Sequence, residues 1–295
     1  MQKIKDDTIQ EKQFGAFFQT VGGNEGSKCH YPTRLDTYGC GCQHDCSYCY
    51  AKSLLSFRKL WDPAKPAVAS MQYVRDAIRK IPPGAIIRLG GMTDCFQPIE
   101  KTRRVTYQTI QRLNRAGIQY LIVTKSAIIA DPEYLNILDK DLAHIQITVT
   151  TLDDALAKTY EKASPPSERI KAILKLQELG FDVQLRLSPY IPEYMDVEKL
   201  NGLGIKKILV EFLRVNSWIQ KWFDIDYTQY TIKQGGYRHL PLEKKKEYIS
   251  KLKGFDEVSV CEDEDEAYAY WRDNLNNDPE DCCNLRKKEK HGNHR

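Results

Sequence analysis

The chain has 295 residues, 41% of them hydrophobic and 28% charged, with a formal net charge of +4. The apolar share suffices for a large core, and the length is normal for an α/β barrel with extensions. The small positive charge demands no polyanionic partner, and no run approaches the ~20 apolar residues of a membrane-spanning helix, so no membrane partner is expected.

Residues 1–30 read as an irregular leader, with Gly22-Gly23-Asn24-Glu25-Gly26 marking turns. Met1 to Gln10 is charged and polar and lacks the apolar h-region of a signal peptide. A short strand then leads into a loop rich in cysteine. Beyond it Ala85 to Leu89 is a strand, Arg103 to Ala116 a helix ending at Gly117, and Tyr120 to Val123 a strand. Pro132 to Lys140 is a helix with Asp131 as N-cap, Ile145 to Thr150 a β-branched strand, and Ser167 to Leu179 a helix stopped by Gly180. Val183 to Leu187 and Ile208 to Val210 complete the series. Alternating strands and helices imply right-handed βαβ units on a parallel sheet. About six units fit between residues 35 and 215, which predicts a partial (β/α)6 barrel of the TIM type, open on one side. The domain reading is a leader at 1–30, a barrel core at 31–215, and an extension at 216–295 that covers or flanks the opening.

Within the cysteine loop, Cys42, Cys46 and Cys49 stand at C-x3-C-x2-C spacing, with Tyr48 before the last and Tyr50 after it. Three thiolates so close in sequence can hold three corners of a [4Fe–4S] cube and leave the fourth iron open. Cys40 or His44 could instead complete a structural zinc site. A disulfide framework fits poorly with an odd count of 9 cysteines in so long a chain. The thiols point to a reducing, cytoplasmic setting. In barrels of this kind chemistry sits at the C-terminal strand ends, where Gly90, Gly91, Thr93, Asp94, Lys125, Thr148, Thr150 and Arg186 all fall.

The order of motifs resembles the spore-photoproduct-lyase-like branch of the radical S-adenosylmethionine superfamily, also described as DNA repair photolyase-like. The likeness rests on Cys42-x3-Cys46-Ser-Tyr48-Cys49-Tyr50, Thr93-Asp94-x2-Gln97-Pro98-x-Glu100-Lys101, Thr124-Lys125-Ser126, Thr150-Thr151-x-Asp153, and Glu161-x2-Ser164-Pro165-x3-Arg169. It runs from about Tyr38 to about Phe212. The resemblance implies that Cys42, Cys46 and Cys49 ligate the cluster. Its open iron would chelate S-adenosylmethionine, whose reductive cleavage yields a 5′-deoxyadenosyl radical that abstracts hydrogen from substrate. It places Tyr48 near the adenine, and Gly90 and Gly91 beside the methionyl amino group, with Thr93 and Asp94 next to that approach. Lys125 would face the cofactor carboxylate, and Thr148 and Thr150 the ribose. Arg186 joins this cofactor-binding set, and Tyr50 and Cys95 are the candidate catalytic residues. In spore photoproduct lyase a cysteine shortly before the equivalent aspartate returns a hydrogen atom to the substrate radical. Here Met92 stands in that neighbourhood and lacks a transferable S–H, so Cys95, on the same loop, is the candidate substitute.

The branch implies a nucleic-acid base or nucleotide as substrate, with DNA or RNA as partner and a flavodoxin or ferredoxin as electron donor. The alternatives are radical modification of a peptide or small metabolite, and a metal-containing nucleic-acid-binding protein without turnover. Cys261, Cys282 and Cys283 could meet an upstream thiol and form a second metal site. Aromatics from Trp218 to Tyr237 could stack on bases, or close the open side of the barrel. Two lysine-rich stretches, 244–253 and 286–290, are basic candidates for nucleic-acid contact or plain solvated surface.

Overall fold

The structure, a computed structural model, describes residues 17–285. One eight-stranded sheet organises the chain in the order β1 (Phe18–Thr20), β2 (Thr33–Leu35), β5 (Ile87–Leu89), β6 (Tyr120–Thr124), β7 (Ala143–Thr148), β8 (Asp182–Tyr190), β9 (Lys207–Phe212), β12 (Glu257–Val260). β1 pairs antiparallel to β2, and every other neighbouring pair is parallel. The six parallel strands from β2 to β9 are the expected partial barrel, and β12 adds a seventh beside β9. Helices such as Val105–Arg115 and Pro166–Glu178 cover the outside. The second buries Ile170, Ile173 and Leu176 at helical spacing, each contributing roughly 1.5–3 kcal/mol.

Three local expectations change. The stretch read as turns at 22–26 carries the helix Gly23–Lys28. Tertiary partners offset the poor helix propensity of glycine: Glu25 pairs with Arg34 at 2.6 Å, and Lys28 Nζ donates to the Asp263 carbonyl at 2.6 Å. The helix expected over 132–140 ends at Leu135, and Asp131 makes no side-chain cap. The strand expected to run to Thr150 stops at Thr148, which takes Thr150 off the rim.

The aromatic segment chooses the core. Phe223 and Tyr230 are buried, and Phe223 packs edge-on against Tyr48 and Tyr160 at 5.6 and 5.5 Å. Trp218 remains exposed. The lysine stretch around 244–251 is consumed by ion pairs: Lys245 is wholly buried against Glu262, and Lys244 and Lys251 both reach Glu247. The stretch 286–290 lies outside the described residues.

A candidate cluster and cofactor site

The loop carrying Cys42, Cys46 and Cys49 follows the short β3 (Tyr38–Gly39), which pairs with β4 (Ala67–Val68). It is wound tightly: Cys40 and Asp45 sit at φ of 57° and 41°, and Gly41 allows the Asp62 carbonyl within 1.9 Å of where a Cβ would stand. Lys52 and Lys162 pair with Asp45 at 2.8 and 3.3 Å and brace the turn. The Cys49 sulfur accepts from Lys52 N at 3.4 Å at the start of the helix Tyr50–Phe57. Cys42 and Cys46 are buried and Cys49 is partly exposed, and all three line one cavity.

Two of the sequence blocks turn out to be clamps on this loop. In the Gln97–Glu100 block, the Gln97 side chain accepts from Gln43 N at 2.8 Å while the Gln43 side chain accepts from Ile99 N at 2.6 Å. Glu100 is wholly buried, accepts the hydroxyls of Tyr38 and Tyr134, and takes Thr106 N and Tyr107 N at 2.9 Å each. In the Glu161–Arg169 block, Glu161 accepts both the Tyr48 hydroxyl and the Arg169 guanidinium. Arg169, wholly buried, also donates to the Ser164 and Thr148 carbonyls at 2.6 and 2.8 Å. Backbone bonds from Ser47 N to the Tyr160 carbonyl and from Lys162 N to the His44 carbonyl complete the zip. Burial pushes Glu161 upward, but Arg169 and Lys125 outweigh it and hold the carboxyl below its ordinary value.

The strand-end residues divide by role. Gly90 has φ of +83°, and a Cβ there would stand 2.6 Å from the Val123 carbonyl oxygen. At Gly91 a Cβ would strike the Arg34 side chain at 2.3 Å. Their loop is held from below by Asp36, which accepts from Gly91 N at 2.8 Å and Met92 N at 3.1 Å. Asp36 was missed in the sequence because an isolated aspartate carries no motif. Desolvation raises it to about 6 against these hydrogen bonds. Thr93 spends its hydroxyl on the Tyr38 carbonyl at 2.6 Å. Asp94 takes Phe96 N and the Thr124 hydroxyl at 2.8 Å each, Lys125 N at 2.6 Å, and lies 3.3 Å from His44 Nδ1. Burial alone would raise Asp94, yet His44 and these N–H groups hold it below its ordinary value. Asp94 therefore ties the loops after β5 and β6 together, although it also borders the cavity.

Lys125 projects into the cavity, donates to the Ser188 carbonyl at 2.8 Å, and lies 5.2 Å over the Tyr48 ring. Burial lowers its pKa, with Glu161 and Cys46 opposing. Among the described residues no carboxylate lies within ion-pair distance of it. Tyr50 lines the cavity with its hydroxyl on the Gly91 carbonyl at 2.8 Å, and Thr148 and Arg186 line it too. Arg186 reaches Gln146 and Glu211 at 2.6 Å each. Glu211, Arg214 and Asp263 extend this charged wall, with Arg214 at 2.7 Å from Asp263. Sequence reading missed them because they come from β9 and the segments after β9 and β12, with no shared motif.

Two expected site residues are corrected. Cys95 is buried in the apolar core with Phe96 as neighbour, and it is not among the residues lining the cavity. Its loop turns so that Met92, Thr93 and Asp94 face the cavity while Cys95 points away. Thr150 lies past the end of β7, wholly buried, with its hydroxyl 2.9 Å from that of Tyr160. It stands behind the wall.

Three soft sulfur donors facing one cavity suit an iron–sulfur cube with an open corner, while His44 on the same loop turns its Nδ1 toward Asp94 at 3.3 Å. A half-buried ammonium with no carboxylate at ion-pair distance suits an anionic ligand beside it. Fold and site together define a partial barrel built to hold a metal cluster and a charged cofactor at its rim. The Radical SAM superfamily model matches residues 37–200, more than half of the chain, and the chain belongs to that superfamily. An uncharacterised protein of Methanocaldococcus jannaschii is 26% identical over 165 residues, 55% of this chain and 62% of that protein. An uncharacterised protein of Acidianus two-tailed virus is 24% identical over 200 residues, 60% of this chain and 65% of that protein. The matches thus span less than two thirds of either relative. Among solved structures, spore photoproduct lyase complexed with dinucleoside spore photoproduct superposes with TM-score 0.57 at 14% identity, covering 82% of this chain and 78% of that one. A mutant of the same enzyme with bound AdoMet and dinucleoside spore photoproduct gives TM-score 0.56 at 14% identity, covering 87% and 93%. At that identity the likeness is one of fold. No helix among the described residues is long and apolar enough to cross a membrane.

Proposed function

We propose that this chain is a spore-photoproduct-lyase-like radical enzyme that abstracts hydrogen from a nucleic-acid base or nucleotide. The observation that carries the reading is the convergence of Cys42, Cys46, Cys49, Gly90, Gly91 and Lys125 on one cavity. When bound, a [4Fe–4S] cluster with S-adenosylmethionine supplies one-electron cleavage of the sulfonium and a hydrogen-abstracting adenosyl radical. The chain's own residues bind and orient. Cys42, Cys46 and Cys49 hold the cluster, and Lys125 offers its ammonium to the cofactor carboxylate. Gly90 and Gly91 let backbone approach the amino group, and Tyr48 and Thr148 flank the space left for the nucleoside. The aromatic packing of Tyr48, Tyr160 and Phe223 keeps water from one side. Tyr50 and Met92 face the cavity where substrate would lie.

The burial of Cys95 weighs against it as the hydrogen donor, so the product radical is quenched by another group or by the cofactor itself. An electron donor of the flavodoxin or ferredoxin class and a reducing cytoplasm complete the proposal. The test is anaerobic reconstitution with iron and sulfide, reduction by dithionite with S-adenosylmethionine, and chromatography for 5′-deoxyadenosine. Wild type forms it and Cys46→Ala, with fold retained, does not. Formation by Cys46→Ala at the wild-type rate would refute the assignment. Deuterium transfer from labelled DNA, RNA or nucleotides into 5′-deoxyadenosine then identifies the substrate, and label arriving only from peptides would overturn the nucleic-acid reading.

A further inference from the structure

Four cysteines that the first cluster does not use meet inside the half-barrel, on the far side of the same cavity. Cys29 follows the helix Gly23–Lys28, Cys261 follows β12, and Cys282 and Cys283 come from the last described segment. Cys261 and Cys282 pack against the small cluster formed by Leu121, Leu209, Cys283 and Leu285, and Cys29 lies within electrostatic reach of Cys261 and Cys283. Cys29 and Cys261 line the cavity, while Cys283 packs with Leu121, Leu209 and Leu285. We propose that Cys29, Cys261, Cys282 and Cys283 bind a second iron–sulfur cluster at this wall.

The corner is built, not accidental. Asp281 accepts from Cys283 N at 3.0 Å, Asn284 N at 3.1 Å, Leu285 N at 3.2 Å, and from the Tyr31 hydroxyl at 2.5 Å. Gln184, on β8, reaches up to the Cys283 carbonyl at 2.5 Å. These bonds hold a turn that curls the chain at 281–284, with Asn284 at φ of 49°, and bring two adjacent thiols to one corner. All four cysteines are free thiols, which leaves their sulfurs available as ligands.

Charge favours an anionic metal–thiolate group at this corner. A thiolate-ligated cube is negative, and Arg88 and Arg186 both act on this corner. The Arg88 Nε is buried without a hydrogen-bond partner. Because Cys29 and Cys261 also line the cavity, the second cluster would border the substrate space.

The test removes the first site and counts what remains. The full chain with Cys42, Cys46 and Cys49 all changed to Ala is purified and reconstituted anaerobically, and iron, acid-labile sulfide and zinc are measured with Mössbauer spectra. About four irons and four sulfides per chain should remain, against about eight in wild type. Adding Cys29→Ser should bring iron close to zero, whereas adding Cys40→Ser should leave it unchanged. Should the variant with Cys29→Ser fail to fold, Cys261→Ser at the same cavity wall gives the same reading. A folded triple variant without iron, stoichiometric zinc in its place, or a disulfide among these cysteines under anaerobic alkylation would each overturn the proposal. Because the triple variant lacks the radical site, its result is independent of the proposed function.

Discussion

Replacing Glu161 by Gln keeps the shape of the clamp and removes one charge. Arg169 has no exposed surface, and its two carbonyl partners, Ser164 and Thr148, cannot neutralise it. Breaking a buried pair by removing one member costs about 3–5 kcal/mol. At this chain length about 2 °C is lost per kcal/mol, so Tm should fall by about 6–10 °C. The Tyr48 hydroxyl loses a charged acceptor at the same time, and Tyr48 sits between Cys46 and Cys49. Iron should therefore leak faster from Glu161→Gln than from wild type under a chelator. Glu161→Gln combined with Arg169→Met removes both charges and should recover part of the stability, since the unpaired charge is the main cost. Calorimetry of the apo chains and chelator-release kinetics of the loaded ones measure the two effects separately. A loss under ~1 kcal/mol with unchanged iron release would show that the clamp does not hold the cysteine loop, and the reasoning would fail.

Gly90→Ala should lose about 2–3 kcal/mol and 5′-deoxyadenosine formation together, since φ of +83° and a carbonyl at 2.6 Å leave no room for a methyl; a wild-type melt and activity would refute the tight strand end. Cys95→Ala should keep 5′-deoxyadenosine formation and substrate turnover within a few fold, with a stability cost of about 1 kcal/mol from the lost core sulfur; loss of turnover with radical formation intact would restore Cys95 as the hydrogen donor. Asp36, raised from 3.8 to about 6 by burial, favours folding below pH 4, and that contribution disappears as pH rises through 6. Wild-type stability should fall relative to Asp36→Asn by about 3 kcal/mol between pH 4 and 7, read from urea melts across that range. Parallel curves would mean that Asp36 is not buried as a carboxyl.

The alternation of strands and helices, and hence the partial barrel, was legible because each element carries its own hydrophobic period and its own stop signal, as Gly117 and Gly180 do. The three cysteines proposed as cluster ligands were legible for the same local reason: Cys42, Cys46 and Cys49 fall within one loop, so their spacing is a property of the sequence itself. Lys125 and Thr148 followed from their places at strand ends. What the sequence could not assign was direction. On a single loop Asp94 borders the cavity and Cys95 enters the core, a choice made by how Asp36 holds the loop backbone and Thr124 the Asp94 carboxylate, and not by residue type. The roles of Glu161 and Arg169 were hidden similarly, since ion pairing across the fold to Tyr48 leaves no trace in spacing. The sequence offered Cys261, Cys282 and Cys283 as a candidate second set, but not their upstream partner: Cys29 lies some 250 residues away from Cys283, and only the seventh strand and the turn at Asp281 bring them to one corner. Local chemistry is written in consecutive residues. The second set of thiols depends on long-range closure of the barrel, which only packing decides.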